Sequence, residues 1–273
     1  MPAAWLLWWS TLCAAAVMNV AAWSYSAWLL GRRKEDFRAD VYDTRRRLLL
    51  LAAVYVLGCG FRSVLPMVDV PRICLHDTWL SRIVVGRSVA TVAEICFAVQ
   101  WALLLRSAGA GGGLAIAMSR AVLPLIAAAE LFSWSAVLKA NYLLHAIENS
   151  LWTLAAALVM AGLLSVWPHV DARSRRFLAA GVVCGAAYVL FMTTVDVPMY
   201  LSRWQAQLAA GQEYLSLRAG MREVLQRCAV TREWAAWRED VPWLSLYFTV
   251  AVWISIALAH VPAVRLTNRR GRP

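Results

Sequence analysis

Arg87, Thr91 and Glu94 fall at i, i+4 and i+7 within one apolar stretch, so a helix through them carries all three on one face. Glu130, Ser133 and Trp134 repeat the pattern in a second stretch, and His145, Glu148, Asn149 and Trp152 in a third. A fourth carries Arg62, Pro66 and Asp69. Ionisable groups in apolar helices are costly to place in lipid, so by default they face a bundle interior or a wet cavity. Arg62, Arg87, Glu94, Glu130, His145 and Glu148, with Trp134 and Asn149 beside them, are therefore the candidate cavity and substrate-binding residues. Trp134 and Trp152 are read as cavity walls or as cation–π partners for Arg87.

Three chemistries suit this set. In transport or permeation, the arginines carry solute charge and Glu94, Glu130 or Glu148 exchange protons. In an integral membrane enzyme acting at the outer face, His145 and Glu148 form the i, i+3 pair that binds metals in helical bundles, with Glu130 or Glu94 to complete it. The metal signal is weak, because the outer half offers only His76 and His145, and His169 and His260 fall near the other side. His76 with Asp77 could instead serve as an acid–base pair over the pocket mouth, and Ser133 has no base beside it to make a nucleophile. The third class is a membrane sensor or receptor. Retinal does not suit it, since Lys34 lies in a loop and Lys139 at a span end. No cofactor can be named. With no Gly-rich phosphate loop, Cys-x-x-Cys pair or Walker lysine, ATP-driven work by this chain has no support.

The elements that must hold these residues are membrane spans. Of 273 residues, 61% are hydrophobic and mean hydropathy is +0.58, well above a soluble domain. About 20 apolar residues cross the hydrocarbon core, and seven such segments occur, near 5–30, 48–68, 83–105, 114–138, 142–167, 177–195 and 241–261. They predict an all-α integral membrane protein, a single membrane domain over 1–273. Met1 to Leu30 has no basic n-region and no small-residue cleavage site, so it reads as a retained first span, not a secretory signal. Residues 203–240 read as an external segment with an amphipathic helix, because Met221, Val224, Leu225 and Cys228 recur at helical spacing among Arg218, Arg222, Glu223 and Arg227.

Lys plus Arg number 27 against 16 Asp plus Glu. The excess falls in short loops, which points to orientation and not to nucleic acid. Arg32, Arg33, Lys34, Arg38, Arg45, Arg46 and Arg47 make the first loop cytoplasmic. Arg106, Arg120, Arg173, Arg175, Arg176, Arg265, Arg269, Arg270 and Arg272 then fall on the same side, which predicts N-out and C-in. The expected partners are the lipid bilayer and a small polar solute or protons. Arginine and alanine richness and compact length suggest a bacterial inner membrane. Cys74 and Cys228, both in loops placed outside, could form a disulfide there. Cys13, Cys59, Cys96 and Cys184 read as small hydrophobes inside spans.

Val68-Asp69-Val70-Pro71 ends the second span and Val195-Asp196-Val197-Pro198 the sixth, with Leu51-Ala52-Ala53 matching Leu178-Ala179-Ala180 and Gly58 matching Gly185. Such matches suggest a parallel 3+1+3 repeat, an architecture found among transporters. Each Val-Pro is expected to stop its helix, which leaves Asp69 and Asp196 as polar helix ends. Counting about 1.5 Å per residue from the outer ends puts Arg62, Arg87 and Glu148 about 8 to 9 Å deep, Glu130 about 13 Å and Glu94 about 18 Å. Below them the spans are almost wholly apolar, Gln100 excepted. A cavity opening outward and closed toward the cytoplasm follows, favouring transport over enzymology.

Overall fold

The computed structural model describes residues 2–108, 113–226 and 228–261, and of residues 2, 3 and 173 the backbone alone. Arg227, Arg265, Arg269, Arg270 and Arg272 lie outside the described residues, as does the side chain of Arg173.

In chain order the elements are α1 (Pro2–Arg32), α2 (Ala39–Val64), β1 (Met67–Val68), β2 (Ile73–Cys74), α3 (Ile83–Ala108), α4 (Gly113–Lys139), α5 (Tyr142–Val166), α6 (Ala172–Phe191), α7 (Val197–Ala209), α8 (Leu217–Leu225), β3 (Ala229–Val230), α9 (Trp234–Trp237), α10 (Val241–Phe248) and α11 (Val250–Leu258). Among the described residues seven helical stretches are long and apolar enough to cross a membrane: α1 to α5, the continuous run Ser174–Ala209, and Val241–Leu258. Their lipid-facing sides expose large apolar residues such as Leu7, Leu57, Leu131 and Val183, which only a bilayer would solvate. The protein is a multi-pass, all-α membrane protein.

Two expected helix ends are corrected. The second helix stops at Val64, not at residue 68, because Leu65 precedes Pro66 and leaves the helical region at φ −118° and ψ 71°. Met67–Val68 then pairs antiparallel with Ile73–Cys74, so the first Val-Asp-Val-Pro forms the hairpin and its turn. The second copy does not stop its helix. Met192–Asp196 winds as a π turn, which accommodates Pro198 in the first turn of α7, and the helix runs on to Ala209. Arg203, expected outside the helix, lies within it.

The chain from 203 to 240 is otherwise partly helical. In α8, Val224 is fully buried while Met221 and Leu225 are exposed, so the apolar face is narrower than its spacing implied. Gly220 lies directly on the backbone of Leu138, where a Cβ would collide with the Leu138 carbonyl. Beyond α8, β3 adds in parallel to β2, and a disulfide joins Cys74 to Cys228. The three short strands, the disulfide and α8 form a roof at one end of the bundle.

The opposite end is sealed by aliphatic packing that includes Leu105, Ala115, Val122, Leu163, Val166, Leu178, Leu258 and Val261. There Gln100 donates to the carbonyls of Leu48 (2.8 Å) and Ser255 (3.1 Å) and accepts from the Ser255 hydroxyl (2.7 Å), tying α2, α3 and α11. The seventh span is broken at Thr249. Asn19 of α1 reaches into the break and donates to the Phe248 carbonyl at 2.9 Å, satisfying an acceptor that lipid could not.

Candidate functional site

Arg87, one turn into α3, is the centre of a buried ionic cluster. Its Nη2 donates to Glu94 Oε2 at 2.6 Å and to Glu130 Oε2 at 2.9 Å, and its Nη1 lies 3.7 Å from Asp69 Oδ2 and 3.6 Å from Glu148 Oε1. Glu94 is seven residues along the same helix, while Glu130 comes from α4, Glu148 from α5 and Asp69 from the hairpin. One guanidinium thus gathers carboxylates from four elements. Leaving any of these charges unpaired in a dry interior would be costly, so the contacts lock the helices in register.

Around this hub the remaining groups are hydrogen-bonded in turn. Tyr247 of α10 donates to Glu94 Oε1 at 2.9 Å, Thr91 donates to Glu130 Oε2 at 2.6 Å, and Trp134 Nε1 donates to the Thr91 hydroxyl at 3.1 Å. His145 donates from Nδ1 to Glu148 Oε2 at 2.8 Å. Arg62 donates to the Met67 carbonyl at 3.1 Å and lies 3.9 Å from Asp69 Oδ1. Asn149 donates to Asp196 Oδ2 at 2.7 Å. Asp196 is only 4% exposed and has no salt bridge among the described residues.

Beside the cluster lies a cavity of about 410 Å³, within the range of small-molecule sites. Its polar end is lined by Arg62, Asp69, Arg87, Glu94, His145, Glu148, Asn149 and Asp196. The rest is apolar and aromatic, with Phe97, Trp101, Trp152, Met160, Phe191 and Ile254 in its wall. Tyr55 extends the aromatic surface, stacking on Phe97 at 4.7 Å and meeting Tyr247 edge-on at 5.7 Å.

Of the residues singled out in the sequence, Arg62, Arg87, Glu94, His145, Glu148 and Asn149 line this cavity together. Glu130 and Trp134 do not: they stand behind Arg87 and Thr91. Trp152 is a wall, and neither it nor Trp134 is a cation–π partner of Arg87 among the described residues. His76 and Asp77 are not at the cavity. The His76 ring packs on Trp9 at 4.9 Å, and burial, with Arg232 nearby, holds His76 below the usual histidine range. The candidate metal pair His145 and Glu148 is bonded to itself and to Arg87, and among the described residues no three His, Cys, Asp or Glu side chains are grouped to hold a metal ion.

Asp69 and Asp196, polar helix ends by sequence alone, are cavity residues. Their shared Val-Asp-Val-Pro setting was the visible signal, but its two copies place the carboxylate by different means, a hairpin turn and a π turn. Tyr247 gave no signal, because a tyrosine in an apolar stretch is not distinguishable from a packing residue until its hydroxyl finds a partner, here Glu94.

No protein-family model, curated protein or solved structure matches this chain. Fold and site together define a class, a multi-pass helical membrane protein with an ionic cluster beside an intramembrane cavity.

Proposed function

We propose that the chain moves a small polar solute or protons across a bacterial inner membrane, with its N-terminus and the roofed, polar end of the cavity outside and its C-terminus in the cytoplasm. The observation that carries this reading is the convergence of Arg62, Asp69, Arg87, Glu94, Glu148 and Asp196 on one cavity inside apolar helices. A purely structural ion-pair network needs no empty space beside it, and this one has about 410 Å³.

Two irregular helices support the same reading. The π turn at Met192–Asp196 and the break at Thr249 both fall where α6 and the seventh span border the cavity, and interrupted helices at the site are common in membrane transporters. The alternation of basic loops supports the orientation, as does a disulfide on the side assigned to an oxidising compartment. The two Val-Asp-Val-Pro copies fold differently, so a parallel repeat is not part of the support. The cavity does not open outward as the sequence led us to expect: its polar end is covered by the roof and the other end by aliphatic packing, which supports an occluded state in an alternating-access cycle.

The test is proton flux in proteoliposomes loaded with a pH-sensitive dye and given an imposed pH gradient. Flux above protein-free vesicles is expected, reduced at least tenfold by Glu94→Gln and by Asp196→Asn. Wild-type flux equal to that of empty vesicles, with methylammonium and other small polar solutes equally excluded, would refute transport.

A further inference from the structure

The cavity is closed at both ends of the bundle yet open at its side. On α6 the lining residues Cys184 and Tyr188 are exposed, Tyr188 by 36%, and on α10 and α11 the lining residues Leu246 and Val250 are exposed by 44% and 48%. These two groups face each other across a gap, because α6 packs along α5 whereas α10 and α11 pack on α1, α2 and α3. The gap closes above, where Arg203 of α7 grips Asp240 at 3.1 Å and Glu239 at 3.0 Å, and below, where Leu178 joins Leu258 and Val261 in the aliphatic seal. What remains is a window in the middle of the span, bordered by apolar side chains and facing lipid.

The cavity behind the window is polar at one end and greasy at the other. At the polar end four carboxylates (Asp69, Glu94, Glu148 and Asp196) and two guanidiniums (Arg62 and Arg87) line the cavity, and a fifth carboxylate, Glu130, stands behind Arg87. Arg87 is spent on four of those acids, so it has no charge left for an anion. Among the described residues Asp196, more than nine-tenths buried and lining the cavity, has only Asn149 as a hydrogen-bond partner, and Asp69 Oδ1 accepts no hydrogen bond. A protonated amine supplies the missing cation and the missing donors together. Beyond the polar end the aromatic and aliphatic chamber has room for a hydrocarbon tail carried by the solute's charged head.

The geometry points to a ligand that is an amphipathic amine, a cationic ammonium head seated among Asp196, Glu148 and Asp69 with one hydrocarbon tail in the chamber walled by Trp152, Ala156 and Ile254, admitted from the bilayer through the side window. This rests on the reading of the cavity as a solute site and narrows the polar solute to one whose charged head carries a hydrocarbon tail.

The experiment is saturation binding of radiolabelled decylammonium to the purified full chain in phosphatidylcholine nanodiscs, with empty nanodiscs subtracted. One saturable site is expected, with butylammonium binding at least tenfold more weakly and decyl sulfate failing to compete. Ala156→Trp and Ile254→Trp, which fill the chamber from opposite sides of the window, should each weaken decylammonium at least tenfold and butylammonium much less, with an unshifted unfolding temperature showing that the variant has folded. Asp196→Asn should weaken both amines. Retained decylammonium binding when sphingosine, a one-tailed bilayer amine, is added supports a free amine, and competition by sphingosine supports a bilayer amine as the source. Equal affinity for the two amines would overturn the tail while leaving the solute site standing. Competition by decyl sulfate would overturn the cationic head, and absence of saturable binding by any amine would overturn the whole inference, with the proton-flux assay judging the transport reading independently.

Discussion

Arg87 concentrates the energetics of the site in one side chain. Replacing it with methionine leaves Glu94, Glu130, Asp69 and Glu148 facing one another without their shared cation, and removing one partner of a buried ion pair costs about 3–5 kcal/mol. Arg87→Met should therefore lower thermal stability in detergent far more than Glu94→Gln, and equal unfolding temperatures would show the hub to be inert. Asn19 gives a smaller effect of the same kind. Asn19→Leu strips the Phe248 carbonyl of its donor at the helix break, a loss of about 1–2 kcal/mol for an interhelical hydrogen bond in a membrane. His76 sets a pH dependence outside the spans. Its folded state holds a proton less tightly than the unfolded chain, whose value is 6.5. Its contribution to stability is thus complete above 6.5 and falls away as pH drops through 6.5 toward the lower folded value. His76→Gln should flatten that part of the stability profile, as read by unfolding temperature between pH 5 and 8.

Glycine decides how the amphipathic α8 meets the bundle. At Gly220 an added Cβ would strike the Leu138 carbonyl, whereas at Gly31 it would meet nothing within 4 Å. Gly220→Ala should release α8 to limited proteolysis while Gly31→Ala leaves the digestion pattern as it is. The seven spans and the four polar faces were legible in the sequence because each is a local property: hydropathy over a window and charge at helical spacing. The side window was not. It depends on which helices fail to pack on each other, and no spacing within one helix encodes that. The fate of the prolines was hidden for a related reason. Pro66 and Pro198 have the same covalent chemistry, yet Pro66 closes α2 and Pro198 continues α6 through a π turn into α7. Glu130 was expected to face the cavity and does not line it, since an acid on the right helical face can still be screened from the cavity by the arginine it binds.

For the molecule as a whole, a periplasm-active reporter fused to the C-terminus should stay inactive, and an active one would reverse the assigned orientation. The continuous helix Ser174–Ala209 has 36 residues, about 54 Å at 1.5 Å per residue, against about 30 Å of hydrocarbon. Roughly its last turns therefore stand clear of the bilayer, where Arg203 holds Asp240 and Gln207 donates to the Ala140 carbonyl at 2.9 Å. The helix stays continuous through the π turn at Met192–Asp196, so that tip and the embedded stretch are joined. Any tug on its protruding tip swings the stretch bearing Cys184 and Tyr188, so the clasp at Arg203 acts as the handle of a lever whose working edge is deep in the lipid. Severing it with Arg203→Met should change the rate at which a bilayer-confined maleimide labels Cys184, and an unaltered rate would mean that the tip and the edge move independently.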